Sequence, residues 1–316
     1  MSAATQNPAR RPSNKGGMAS LRHFGHNQKV APYVFVAPFI ITFLLFFLYP
    51  IISTVIMSFQ NILLKQVEFI GLQNYINLND PIFFKAIGLN LRYTFFTLLI
   101  LIPLPMLLAV MLDSKMMRAR NFFRSTLFIP ALTSVVVAGT IFRLIFGEMP
   151  GSLMNQMLAL FGGKAIKWLK LADTSFIALL TLATWRWMGV NILYFLAGLQ
   201  NIPRELYESA EIDGANAWHR FRSIVLPMLK PVSIYVLTIS IYGGMAMFTE
   251  SYMIFSGNRS PGHIGVTIVG YLYRKAFEEN NMGYGSAIGL VLLLIVMVVN
   301  VVQLYINGTI RKERQS

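Results

Sequence analysis

Three long windows without a single charge constrain this chain more than any other feature. No Asp, Glu, Lys or Arg lies between Lys29 and Lys65, between Arg92 and Asp113, or between Glu279 and Arg311. An apolar run of ~18 or more residues is long enough to cross a hydrocarbon layer of roughly 30 Å. In that medium every backbone group must be satisfied internally, and runs of this length do so as helices rather than barrel strands. Charged residues make up only 13% of the chain, against roughly 25% in soluble domains. The expected fold class is therefore all-α, a polytopic membrane protein with about six transmembrane helices.

Hydropathy places those spans at Ala31–Met57, Asn90–Leu112, Thr126–Phe146, Ser175–Gln200, Pro231–Phe255 and Gly285–Asn307. Pro38 and Pro50 in the first, Pro103 and Pro105 in the second and Pro130 in the third mark expected kinks, which membrane helices tolerate when neighbours satisfy the freed carbonyls. The N-terminal residues 1–30 are polar and basic, read as a disordered tail without a signal peptide. Residues 31–310 form the membrane domain, and 311–316 a short second tail. Lys and Arg gather in the N-terminal tail and in the segments Lys115–Arg124, Arg204–Lys230 and Arg311–Arg314, and are sparser in the alternate loops. The positive-inside rule then puts both termini in the cytoplasm.

The net charge of +14 has no soluble domain to sit on, so a nucleic-acid partner is excluded. The chain has no cysteine, hence no disulfide framework and no thiolate metal site. No G-x-x-x-x-G-K-[ST] phosphate loop and no H-E-x-x-H cluster occurs. Neither a metal nor a nucleotide is expected on this chain. Asn258 and Asn307 fit the glycosylation pattern, which is too short to carry weight. Between the third and fourth spans, Leu153, Met157 and Leu160 recur at helical spacing and predict a short packing helix.

One segment breaks the apolar pattern. ESAEIDGANAWHRFRSIVLP, Glu208 to Pro227, holds two Glu, an Asp, a His and two Arg. Residues 204–227 read as a helical insert between spans. Glu205, Glu208 and Glu211 favour the start of a first helix, and Asp213–Gly214 ends it. Trp218, Phe221, Ile224 and Val225 form the apolar stripe of a second, which Leu226–Pro227 is expected to terminate. Helices this short need something to pack against. Spacing alone leaves two readings open, a connector lying on the membrane or a docking element for a soluble partner.

The pattern E-x-A-x3-G-x9-I-x-L-P, here Glu208, Ala210, Gly214, Ile224, Leu226 and Pro227, resembles the EAA loop of ABC-importer permeases. Ser209 stands where that loop usually has Ala. PYVFVAPFIITFLLFFLYPIIS from Pro32, GLQNYINL from Gly71, RNFFRSTLFIPALTSVVVAGTIFRLIF from Arg120 and LAGLQNIPRELYESAEIDGA from Leu196 are similar to the sugar-type permeases of maltose and glycerol-3-phosphate importers. The resemblance implies the type I importer permease fold and an inner-membrane location. It implies a second homologous permease, two ATPases and an extracytoplasmic solute-binding protein as partners, and ATP and Mg used by the ATPases. The insert would be the ATPase-coupling element.

Polar groups inside a membrane are costly and point to function. In the fourth span these are Trp185, Arg186, Trp187 and Asn191. In the fifth they are Gly243, Gly244, Glu250, Ser251 and Tyr252. Aromatic faces stack on sugar rings, and Asn, Glu and Ser supply directed hydrogen bonds. Arg143 is expected to reach the membrane surface or pair with Glu250; together with Arg186 it would suit an acidic or phosphorylated sugar. A gradient-driven transporter or channel would instead need ionisable groups deep in several spans and repeat symmetry. A membrane enzyme would need a catalytic cluster, and none is visible.

Overall fold

The computed structural model describes residues 31–63, 66–114, 117–257 and 260–308. The expected tails 1–30 and 311–316 and the Asn258 sequon lie outside them. The chain divides after Thr54 into two compact units. Among the described residues, four helices are long and apolar enough to cross a membrane, or six if each of two bent pairs is one span. The architecture is an all-α multi-pass membrane protein with one small hairpin.

Helix α1 runs Ala31–Ser58. Its Ala31–Phe43 part buries no residue, and Phe39, Phe43 and Phe47 stack along one side with centroids 6.5 and 6.0 Å apart. The turn Leu44–Leu48 widens to i→i+5 bonding, with the Tyr49 N–H donating to the Leu44 carbonyl. Pro50 follows directly. Its ring would crowd the carbonyl four residues back, and the widened turn makes room for it.

Strands β1 (Gln60–Leu63) and β2 (Gln66–Phe69) pair antiparallel, Gln60 opposite Phe69. Asn74 fastens this hairpin by donating to the carbonyls of Ser58 and Gln60, both at 2.9 Å. The hairpin lies between the first two spans that hydropathy places.

Helix α2 (Pro81–Asp113) begins nine residues before the predicted span. Asp80 caps it, its Oδ1 accepting from the Ile82 N–H at 2.7 Å, with Pro81 at the first position. The predicted third span is not one straight helix: α3 (Arg120–Leu132) and α4 (Val135–Ile145) meet at 95°. Thr133 and Ser134 take extended conformations between them. Helix α5 (Leu153–Leu160) forms where expected, but the stripe Leu153, Met157 and Leu160 faces outward; Met154 and Leu158 pack inward. The reason is Asn155. It is buried, accepts from Trp168 Nε1 at 2.8 Å and from the Ile166 N–H at 3.0 Å, and so fixes which face turns in.

Helix α6 (Ala172–Gln200) is crossed closely by α3 at Gly189, where an added Cβ would lie 2.0 Å from the Leu127 carbonyl oxygen. Helices α7 (Arg204–Ile212) and α8 (Ala217–Met228) make the insert, and α9 (Lys230–Met245) follows α8 at a 62° bend. The predicted fifth span therefore stops at Met245. After an irregular Ala246–Phe248, with Phe248 at φ −140° and ψ −62°, the short helix α10 (Thr249–Ile254) carries Glu250, Ser251 and Tyr252 separately. Helix α11 (Ile268–Tyr273) and the last span α12 (Met282–Ile306) complete the chain. Asn90, wholly buried, donates to the carbonyls of Gly244 and Met245 at 2.9 and 3.0 Å and accepts from the Ile268 N–H at 2.9 Å. One amide thus fixes the end of α9 and the start of α11 onto α2.

Candidate functional sites: an exposed insert and a mid-span polar cluster

The insert is a pair of short helices joined by a tight turn. At the end of α7 the Ala215 N–H donates to the Ala210 carbonyl at 2.8 Å and the Gly214 N–H to Glu211 at 3.1 Å. Gly214 sits at φ +74°. This is a Schellman ending, and its left-handed position suits glycine. Asn216 caps α8 by accepting from the His219 N–H at 2.8 Å. The side chains of Arg220 and Glu211 pair and tie the two helices together.

Helix α8 does not end at Leu226–Pro227. The turn Phe221–Val225 widens as in α1, the Leu226 N–H donating to the Phe221 carbonyl, and the helix passes through Pro227 to Met228. These two widened turns precede an X-Pro pair by the same offset, and relief of the proline ring accounts for them; a third, Arg274–Glu278, has no proline after it.

The insert has an anchored side and a free side. Val225 is buried, and Tyr207, Phe221 and Ile224 pack with it against Ile192, Phe195, Leu199 and Leu229. Trp218 lies 66% exposed with its ring stacked on Phe221, centroids 5.8 Å apart. Glu205, Glu208, Asp213, Gly214, Leu226 and Pro227 are also exposed, and Ala210 is half-buried. An open hollow of about 410 Å³ lies between the helices, floored by Ala210, Gly214, Ala215, Ser223 and Ile224. Burial pushes the Tyr207 phenol up and Asp113 adds to this, against the opposing pull of Arg220. The arrangement is a small two-helix knob whose exposed surface carries the Trp218 ring.

The second group of candidates lies on α6, on α9 and on the short helix α10 that follows it. Arg186 occupies the midpoint of α6, and its Nη1 meets Glu250 Oε1 at 3.3 Å. The guanidinium carbon stands 5.3 Å from the Trp187 ring centroid. The two charged side chains are 18% and 15% exposed, and Trp187 is 41% exposed. Arg186, Trp187 and Glu250 thus come together. Glu250 does not pair with Arg143, whose Nη1 instead donates to Ser256 Oγ. The helix break after Met245 carries Glu250 toward α6.

The remaining candidates go elsewhere. Trp185 packs on Phe142, centroids 5.5 Å apart. Asn191 is buried and donates from Nδ2 to the Leu101 carbonyl at 2.7 Å. That carbonyl is the one Pro105, four residues on, has no N–H to satisfy. Gly244 packs against Thr94, where a Cβ would lie 2.4 Å from Oγ1, whereas a Cβ on Gly243 would meet nothing within 4 Å. Ser251 donates to the Gly265 carbonyl. Tyr252 belongs to an aromatic group with Phe248 and Tyr273, at 5.0 and 5.8 Å. Sequence reasoning missed Tyr194, Tyr235 and Tyr242. Tyr194 and Tyr235 meet edge to face at 5.3 Å, and Tyr235 and Tyr242 are exposed. The signal was the seven-residue spacing of Trp187 with Tyr194 and of Tyr235 with Tyr242, which puts each pair on one helix face.

Residues 93–312 match the family model described as "Binding-protein-dependent transport system inner membrane component". The chain belongs to that family. The chain is 56% identical over 292 residues to the arabinooligosaccharides transport system permease protein AraP of Bacillus subtilis (strain 168), covering 92% of this chain and 93% of that one. It is 32% identical to the lactose transport system permease protein LacF of Rhizobium radiobacter, covering 86% and 92%. In fold it is similar to a chain of a bacterial alginate ABC transporter solved in complex with alginate pentasaccharide-bound periplasmic protein. That match has a TM-score of 0.78 at 22% identity and covers 89% of this chain and 94% of the other.

Proposed function

We propose that this permease is one of two homologous membrane subunits of an ATP-driven carbohydrate importer, taking mono- or oligosaccharides from a solute-binding protein outside the membrane. Its insert docks in a cleft on an ATPase subunit and converts nucleotide-driven closure into tilting of the spans. ATP and Mg belong to two such ATPases, and both termini lie in the cytoplasm. The observation that carries this reading is the insert itself. Its Schellman turn and exposed Trp218 stand on the buried anchors Val225 and Leu229, so a push on the tip passes directly to α6 and α9. The names of the arabinooligosaccharide and lactose relatives support a saccharide cargo, and the periplasmic protein in the alginate complex supports a binding-protein partner.

The test is detergent co-purification with native partners, wild type beside Gly214→Trp and Glu208→Lys. An ATPase that accompanies the wild type and is lost from both variants is expected. An ATPase that binds all three alike, or none, would leave the insert a surface connector and bring back the gradient-driven reading.

A further inference from the structure

Arg186 lies at the centre of a 29-residue membrane helix, where an ionised group facing lipid is costly. Such groups turn to the bundle interior or to a water-filled pathway. Here the pair is partly accessible beside an exposed tryptophan face, as in a pathway wall. Among the described residues Glu250 is the one acidic partner of Arg186, through a single Nη1–Oε1 contact, and Nε is buried without a hydrogen bond. Neutralisation of this cation therefore depends on one carboxylate. That carboxylate arrives by way of a broken helix.

A bare guanidinium at this place would bind a carboxylate or phosphate through its planar fork. Paired with Glu250 it presents no net charge. We infer that Glu250 is a specificity-determining residue: by holding Arg186 as a neutral pair beside Trp187, it makes the pathway accept uncharged saccharides and reject those bearing carboxylate or phosphate. This replaces the sequence-based expectation that Arg186 suits an acidic sugar, and it rests on the carbohydrate-importer reading above.

The experiment uses the assembled importer in nanodiscs without its solute-binding protein, so that only the membrane part selects. Calorimetric titration compares a neutral arabino-oligosaccharide with a uronic-acid oligosaccharide of equal length. Wild type should prefer the neutral sugar. Glu250→Gln should shift the ratio of the two Kd values toward the acid by roughly tenfold, the scale of one charge-assisted hydrogen bond. Adding Arg186→Gln to it should return the ratio toward wild type. Where Glu250→Gln fails to assemble, Glu250→Ser, which also removes the carboxylate, should move the ratio in the same direction. A ratio that stays put in every assembled variant overturns the inference while leaving the importer reading intact. Wild type that binds neither saccharide, alone or with its solute-binding protein added, overturns both.

Discussion

Replacing Asn191 by Leu removes the amide that donates to the Leu101 carbonyl at 2.7 Å inside the bundle. Leaving a buried carbonyl unsatisfied costs ~1–3 kcal/mol in water-soluble proteins, and interhelical bonds in membranes average ~0.6 with a maximum of ~1.7 kcal/mol. The cost here belongs near the upper membrane figure, because Pro105 has no N–H with which to take over the orphaned group. Pro105→Ala restores that N–H. In the Pro105→Ala background the Asn191→Leu penalty should therefore shrink to about 0.5 kcal/mol or less, a coupling of ~1 kcal/mol between residues far apart in sequence. Thermal scans of the purified importer for wild type, both single variants and the double variant read this directly. The uncoupled loss corresponds to a few degrees, at roughly 2–4 °C per kcal/mol. Equal losses in both backgrounds would refute the pairing of proline and asparagine.

Three further outcomes follow from the geometry. Gly189→Ala places a Cβ 2.0 Å from the Leu127 carbonyl oxygen; backbone cannot yield cheaply, so a loss of ~1–3 kcal/mol is expected in the same scans, and an unchanged midpoint would contradict the close crossing of α3 and α6. Gly214→Val meets open space but forces a branched residue into φ +74°, at about 1–2 kcal/mol. Its mark should be strongest locally, an acceleration of roughly tenfold in hydrogen exchange at Ala215, with the unfolding midpoint lowered by no more than a few degrees; unchanged exchange at Ala215 would contradict the strain at Gly214. Burial pushes the Asp80 carboxyl up, but the Tyr271 hydroxyl, the Ile82 N–H and the charges of Lys275 and Arg274 outweigh it and hold the group below the ordinary aspartate range. Because the folded value lies under the unfolded one, this stabilisation is complete above the unfolded value and fades as pH falls through the folded value. Tyr271→Phe should therefore cost stability at neutral pH, with the difference from wild type narrowing in acid; a difference constant with pH would rule the linkage out.

Much of this protein was legible in its sequence where solvent dictates structure. Uncharged windows had to be helices, and the Glu-rich start, the Asp213–Gly214 ending and the Phe221–Val225 part of the stripe of the insert each reflect a local rule that tertiary packing did not override, whereas Trp218, expected on the same packed stripe, stays exposed. What stayed hidden was decided between segments. Nothing local tells that Thr133 and Ser134 turn the chain by 95°, or that Asn155 rather than an apolar stripe chooses the inner face of α5. Asn191 and Gly244 looked like pathway groups because polar and small residues in a span suggest function. Their partners, Leu101 and Thr94, are distant in sequence and give them packing duties instead. Glu250 was legible as a charge, but its partner depended on an unforeseen break in the fifth span. The proline rule failed at Pro227 because it describes a regular helix, and here the chain spends one extra residue per turn just before the ring.

That extra residue has a consequence for anyone exchanging parts between permeases. A turn with i→i+5 bonding shifts the helical phase by one residue, or about 100°. The faces of Trp218 and of Leu229 are registered to each other through the turn Phe221–Val225. A graft that carries the insert from a relative but miscounts this turn by one residue would rotate the docking tip a quarter-turn and more around the rim while leaving every donor motif intact in sequence. Cutting points for chimeras therefore belong outside Phe221–Pro227, on both sides.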